Sequence, residues 1–136
     1  MNSYERFLKI FLRVLGTSAI TAIIFVAAPY SWMDSIHRQL GMGQLPDAPV
    51  VGYLARSTSA FYVFQGGLAW LISYDLRRYR QLLIFLSLMT IAMGLALFAI
   101  DWIENLPPFW RLSEGPIDTV FGVVMLWLAM HVHERG

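Results

Sequence analysis

Long apolar runs, rather than a two-residue alternation of apolar and polar positions, dominate this chain. Four of them, over residues 7–28, 50–74, 81–100 and 116–132, approach the length of about 17–25 residues that a helix needs to cross a bilayer. The second, VVGYLARSTSAFYVFQGGLAWLISY, carries Arg56 as its only formal charge. At ~1.5 Å per residue it is roughly 37 Å long, enough for a hydrocarbon core of about 30 Å with some tilt. The third, QLLIFLSLMTIAMGLALFAI, carries no charge. The pattern predicts an all-α protein, a four-transmembrane-helix antiparallel bundle forming one integral membrane domain over residues 1–136.

The connections have their own patterns. Between Pro29 and Pro49 lies SWMDSIHRQLGMG. As a helix from Ser31 it places Trp32, Met33, Ile36 and Leu40 on one side, away from Asp34, His37 and Arg38. This predicts a short interfacial helix between spans 1 and 2, capped by Ser31 and ended by Gly41 or Gly43. DLRRYR forms a tight turn, and Pro116, after Gly115, is expected to open the last span. A secretory signal peptide is the rival reading of the first run, since a charged start, an apolar core and Ala27 and Ala28 fit its outline. Pro29 directly after Ala28 argues against cleavage there, so the run is expected to stay as an anchor.

Composition supports the membrane reading. Of 136 residues, 57% are hydrophobic and 14% charged, against about 25% charged in soluble domains. The net charge of +1 carries no basic face suited to nucleic acid. With no cysteine, disulfides and thiolate chemistry are excluded. Arg6, Lys9, Arg13, Arg77, Arg78, Arg80 and Arg135 fall on one side of the predicted spans, and Arg38, Arg56 and Arg111 on the other. The positive-inside rule therefore expects cytoplasmic N- and C-termini, in the inner membrane of a bacterium.

Arg56 is the focus for chemistry, because an ionisable residue inside a span is a functional hypothesis by default. It lies about 9 Å below the outer end of its helix. Asp101, Glu114 and Asp118 fall near the same depth. One reading pairs Arg56 with these acids, Asp101 or Glu114 first, to pin the outer ends of three helices. The other makes Tyr53, Arg56 and Ser57, with Asp101, Glu114 and Asp118, a pocket for a lipid headgroup, a quinone oxygen or another anionic amphiphile. Asp118 also has a plain explanation as a carboxylate in the first turn of the last span. His131 and His133 lie about 200° apart on a helix and do not chelate one ion. No metal, cofactor or catalytic group is signalled. Small residues at Ala55, Ser59, Gly66, Ala69 and Ser73, and at Ala92, Ala96 and Ala99, predict close helix contacts.

The segments YLARSTSAFYVFQGGLAW with DLRRYR, and FWRLSEGPIDTVFGVVMLWL, resemble a group of small four-span bacterial inner-membrane proteins to which no activity is attached. The overall plan is also similar to the DoxX-like four-helix membrane proteins. Their acidic and glycine-rich second-helix pattern is not reproduced in register, so no residue role is carried over. The resemblance implies the fold and the location. Three functions compete: a non-enzymatic accessory, assembly or scaffold component; a binding or transport module for a lipophilic molecule at Arg56; and a membrane enzyme using the outer carboxylates. The expected partners are membrane lipids, with a protein partner or a second copy of the chain as further candidates. The orientation predicts that, in intact cells, an impermeant thiol reagent labels Ser35→Cys and leaves Ser3→Cys untouched; the converse pattern overturns it.

Overall fold

A computed structural model of the protein describes residues 1–133, and these are all-helical, with no strand among them. The helices are α1 (Ser3–Ile20), α2 (Ile23–Ala27), α3 (Tyr30–Gln39), α4 (Pro49–Tyr74), α5 (Arg80–Ile103) and α6 (Pro108–Met130). Three helical stretches are long and apolar enough to cross a membrane: Ser3–Ala27, Arg80–Ile103 and Pro108–Met130. Helix α4 has 26 residues and the length to cross, but Arg56, Ser57, Thr58, Ser59 and Gln65 dilute its apolar character.

Several boundaries differ from the sequence pattern. The first run is interrupted at Thr21 and Ala22, between α1 and α2. Helix α3 starts at Tyr30 after Pro29, with no side-chain cap, so Ser31 is inside it. It ends at Gly41, whose φ of 77° lets Gly41 N–H reach Arg38 O and Met42 N–H reach His37 O. That is a Schellman closure, and the left-handed backbone favours glycine. The last helix starts at Pro108, not Pro116, so Pro116 lies inside α6. Pro108 occupies a first-turn position where a missing N–H removes nothing.

The chain divides into two compact units, Met1–Phe11 with Ile72–Gly136, and Leu12–Leu71. In the second unit, Gly16 of α1 and Gly66 of α4 bring the two backbones together. A Cβ on Gly66 would lie 2.5 Å from Gly16 O and 3.0 Å from Ile20 N. The same face is closed by Trp70 Nε1, which donates to Thr17 Oγ1 at 3.0 Å, and by Arg13 over the Trp70 ring. Beyond α2, α3 is tied to the loop that follows it. Leu45 N–H donates to Asp34 Oδ1 at 2.7 Å, Arg38 pairs with Asp34 Oδ2 at 3.0 Å, and the Tyr30 hydroxyl donates to Leu45 O. The Leu45 amide, with Arg38 adding to it, holds the Asp34 carboxyl below the usual carboxylate range. Met33 is buried, while Trp32 and Ile36 are exposed.

In the first unit, Asn2 and Glu5 cap α1 reciprocally. Glu5 N–H donates to Asn2 Oδ1 at 2.8 Å, and Asn2 N–H donates to Glu5 Oε2 at 3.1 Å. Glu5 is only 2% exposed. Arg77, from the turn before α5, meets it with two bonds, Nε to Oε1 at 3.0 Å and Nη2 to Oε2 at 3.2 Å. A buried carboxylate needs such a partner, and the planar fork of arginine supplies both donors. Beside it, Tyr4 stacks on His131 and meets Trp127 edge-on.

Helices α5 and α6 pack antiparallel through glycines. A Cβ on Gly122 would lie 2.8 Å from Ile91 N, and one on Gly115 would lie 2.7 Å from both Gly94 O and Phe98 N. The buried face of α5 is Leu83, Ser87, Gly94 and Asp101. The alanines Ala92, Ala96 and Ala99, expected at a contact, are exposed. Glycine, lacking a Cβ, lets two helix backbones approach closest, which is why Gly94 sets the contact and the alanine stripe does not. Gly94→Ala puts a methyl 2.6 Å from Thr119 N, so it is expected to lower stability by about 1–3 kcal/mol, as overpacking does. Ala96→Leu on the exposed face is expected to change little; thermal unfolding of the two variants in detergent checks the contrast.

Candidate functional site

The first helical run ends at Ala27, and Ala28 (ψ 143°) is already extended ahead of Pro29. The last four carbonyls of any helix lack intrahelical donors, and a following proline forbids continuation. Such carbonyls are costly in apolar surroundings. Arg56 of α4 meets them: Nη1 donates to Val26 O at 2.7 Å and Nη2 to Ala28 O at 2.9 Å. A cation at a helix C-terminus is also on the favourable end of the helix dipole. The guanidinium therefore takes backbone oxygens. Ion pairs elsewhere join Arg38 with Asp34 and Arg77 with Glu5.

The other residues expected at the site fall into two groups. Tyr53, one turn before Arg56, is 68% exposed, and Ser57 is half-buried. Neither side chain makes a hydrogen bond among the described residues, whereas Ser59 donates to Ala55 O along its own helix. Asp101, Glu114 and Asp118 belong to the first unit, on α5 and α6, whereas Arg56 belongs to the second.

These acids lie on α5 and α6 of the first unit. Asp101 is 2% exposed. Its backbone is fixed by the end of α5: Leu106 N–H donates to Asp101 O, Asn105 N–H donates to Trp102 O, and Asn105 has φ 51°. Asparagine is the usual substitute for glycine in this left-handed position. Asp101 stands at the end of α5 near Glu114 of α6, and Asp118 lies one turn further along α6. Trp110 Nε1 donates to Glu114 Oε2 at 2.9 Å. Arg111 lies over the Trp102 ring, 4.3 Å from its centroid. Asp101 Oδ2 and Arg111 Nε are both buried without a hydrogen-bond partner. The first-turn explanation of Asp118 does not hold, because α6 begins ten residues before it.

The Glu5–Arg77 pair was not anticipated. Its signal was the Asn-x-x-Glu spacing of residues 2–5, a capping pattern that commits Glu5 to a helix start; the arginine among Arg77, Arg78 and Arg80 that meets it was not readable. A shallow cleft of about 440 Å³, lined in part by Asn2, Tyr4, His131 and His133, lies between the start of α1 and the end of α6. There Asn2 Nδ2 donates to His131 O at 3.3 Å. Among the described residues no three His, Asp or Glu side chains are grouped to hold a metal ion.

The chain matches no family model, no curated protein and no solved structure with which it was compared. Its site is therefore read from its own geometry. Arg56→Met keeps the length and apolar stem of the side chain but leaves two carbonyls without donors. Bonds to a charged donor contribute about 1.5–3 kcal/mol each in favourable settings, so the variant is expected to lose roughly 2 kcal/mol or more of stability. Chemical unfolding in detergent, with Arg56→Lys recovering part of the loss, checks this.

Proposed function

We propose that the chain is a non-enzymatic integral protein of a bacterial cytoplasmic membrane, acting as an accessory, assembly or scaffold component. In this reading α4 is a fourth span and α3 lies in the interface, with both termini cytoplasmic. The observation that carries it is the use made of Arg56. Two of its donors hold backbone oxygens where the first helical run breaks, a task that joins segments of the chain. The exposed apolar side chains along α5 and α6, such as Phe85, Leu95, Phe98, Val120 and Val123, suit contact with lipid acyl chains or a neighbouring helix. Trp32 on α3 and the short Gly41 turn suit a helix at headgroup level.

The second reading keeps a specific basis. A guanidinium has five donors, and two of them are engaged with carbonyls. With Tyr53 exposed one turn away, the remaining donors suit an anionic or carbonyl-bearing amphiphile such as a lipid or a quinone. Extraction of the native membrane in mild detergent, with cross-linking and mass spectrometry of what co-purifies, separates the two. The scaffold reading expects a defined protein partner that Arg56→Lys retains. A partner-free protein carrying a lipophilic molecule that Arg56→Lys releases, with the fold kept, overturns it in favour of the binding module.

A further inference from the structure

We infer that the start of α1 and the turn before α5 together form a surface for the phosphodiester headgroup of an anionic phospholipid. The ion pair between Glu5 and Arg77 makes them one surface. Glu5 lies in the first turn of α1, and Arg77 lies three residues before α5 begins at Arg80. Their contact therefore sets the start of one candidate membrane span beside the start of another. Basic side chains there stand at the boundary where a bilayer carries its headgroups.

Charge around that junction is unbalanced. Residues 5–9 and 75–80 hold five cations, Arg6, Lys9, Arg77, Arg78 and Arg80, against two acids, Glu5 and Asp75. Both acids are already engaged. Glu5 is buried with Arg77 on both of its oxygens, and Asp75 Oδ1 accepts the Arg78 N–H at 3.2 Å. Arg6, Lys9 and Arg78 form no ion pair among the described residues. Arg6 and Arg78 are exposed and Lys9 is half-buried. The Arg78 guanidinium lies over the Tyr79 ring, 5.6 Å from its centroid, which leaves its charge unneutralised. Clustered cations of this kind at the end of a span attract anionic headgroups.

The neighbouring positions favour a lipid over a free anion. Phe7 and Ile10 follow Arg6 and Lys9 by one residue each. At about 3.6 residues per turn the two pairs form adjoining stripes along α1, one cationic and one apolar. Phe7 and Ile10 are 55% and 57% exposed. A free anion would use the cations alone, whereas a phospholipid uses both stripes, its phosphate on the cations and the top of an acyl chain on Phe7 and Ile10. All of these residues belong to the first unit, and Arg56 belongs to the second. The surface serves equally whether the chain is a scaffold or a binding module.

Native mass spectrometry of the full chain, released from nanodiscs holding equal parts of phosphatidylglycerol and phosphatidylcholine, tests it. The wild type is expected to carry phosphatidylglycerol in excess, and the excess to shrink as ionic strength rises. Combining Arg6→Gln, Lys9→Gln and Arg78→Gln is expected to cut the excess about tenfold, with the circular dichroism spectrum unchanged. Arg56→Lys is expected to keep it, which separates this surface from a lipid held at Arg56. Equal retention of the two lipids by the wild type, an undiminished excess in the triple variant, or its loss in Arg56→Lys overturns the proposal. Removal of the excess by inorganic phosphate, where chloride of the same ionic strength leaves it, also overturns it by marking a site for free anions. The wild-type retention decides even where the triple variant folds poorly.

Discussion

A helix that stops leaves its last carbonyl oxygens without intrahelical donors, and the second unit of this protein is arranged around that constraint. Pro29 makes the stop unavoidable, because it has no N–H and forces Ala28 into an extended conformation. A long, permanently charged side chain reaching from another helix is one of the few donors that can serve two carbonyls at once. Arg56 does so from α4. A charge that looks exceptional within an apolar helix thus completes the hydrogen bonding of a backbone break thirty residues earlier.

The same logic recurs in the first unit with the signs exchanged. Glu5 is nearly fully buried because it is needed at the third position of α1, where it closes the helix start with Asn2. Its charge then requires Arg77. Removing the arginine would leave the carboxylate buried, a larger penalty than the pair's own contribution. Between α5 and α6 the limiting quantity is backbone distance. Gly94, Gly115 and Gly122 allow an approach that no side chain permits, and this close contact carries Asp101 into a position shielded from solvent. Packing by small residues and the burial of Asp101 are in this way one feature.

Much of the fold was legible in the residues. The apolar runs gave α4 and α5 to within a few residues, since their uninterrupted length leaves little choice of structure. The segment after Pro29 was legible as a helix with the right end, because Gly41 is required where φ turns positive. Its start was not, because Tyr30 rather than Ser31 begins it and Pro29 stands at the cap. The last helix was misplaced at its start because Pro116 reads locally as a helix opener. The pair Pro107 and Pro108 supplied that opening first, and a proline later in a helix is tolerated when only one bond is lost. Of the site, Arg56 was legible as a charge that its own helix does not satisfy. The bonding partners were not.

What the amino-acid sequence determined by itself is an apolar, helical chain with a charge in α4 that has to be satisfied, since hydropathy and periodicity act locally and need no fold. What only the tertiary structure decided is the partner of each charge. Arg56 meets carbonyls of the first run, and Glu5 meets Arg77. Backbone oxygens carry no residue signature, and distant side chains meet only through helix register. That register is set by which small residues face one another: glycines at 94, 115 and 122 do, and alanines at 92, 96 and 99 do not.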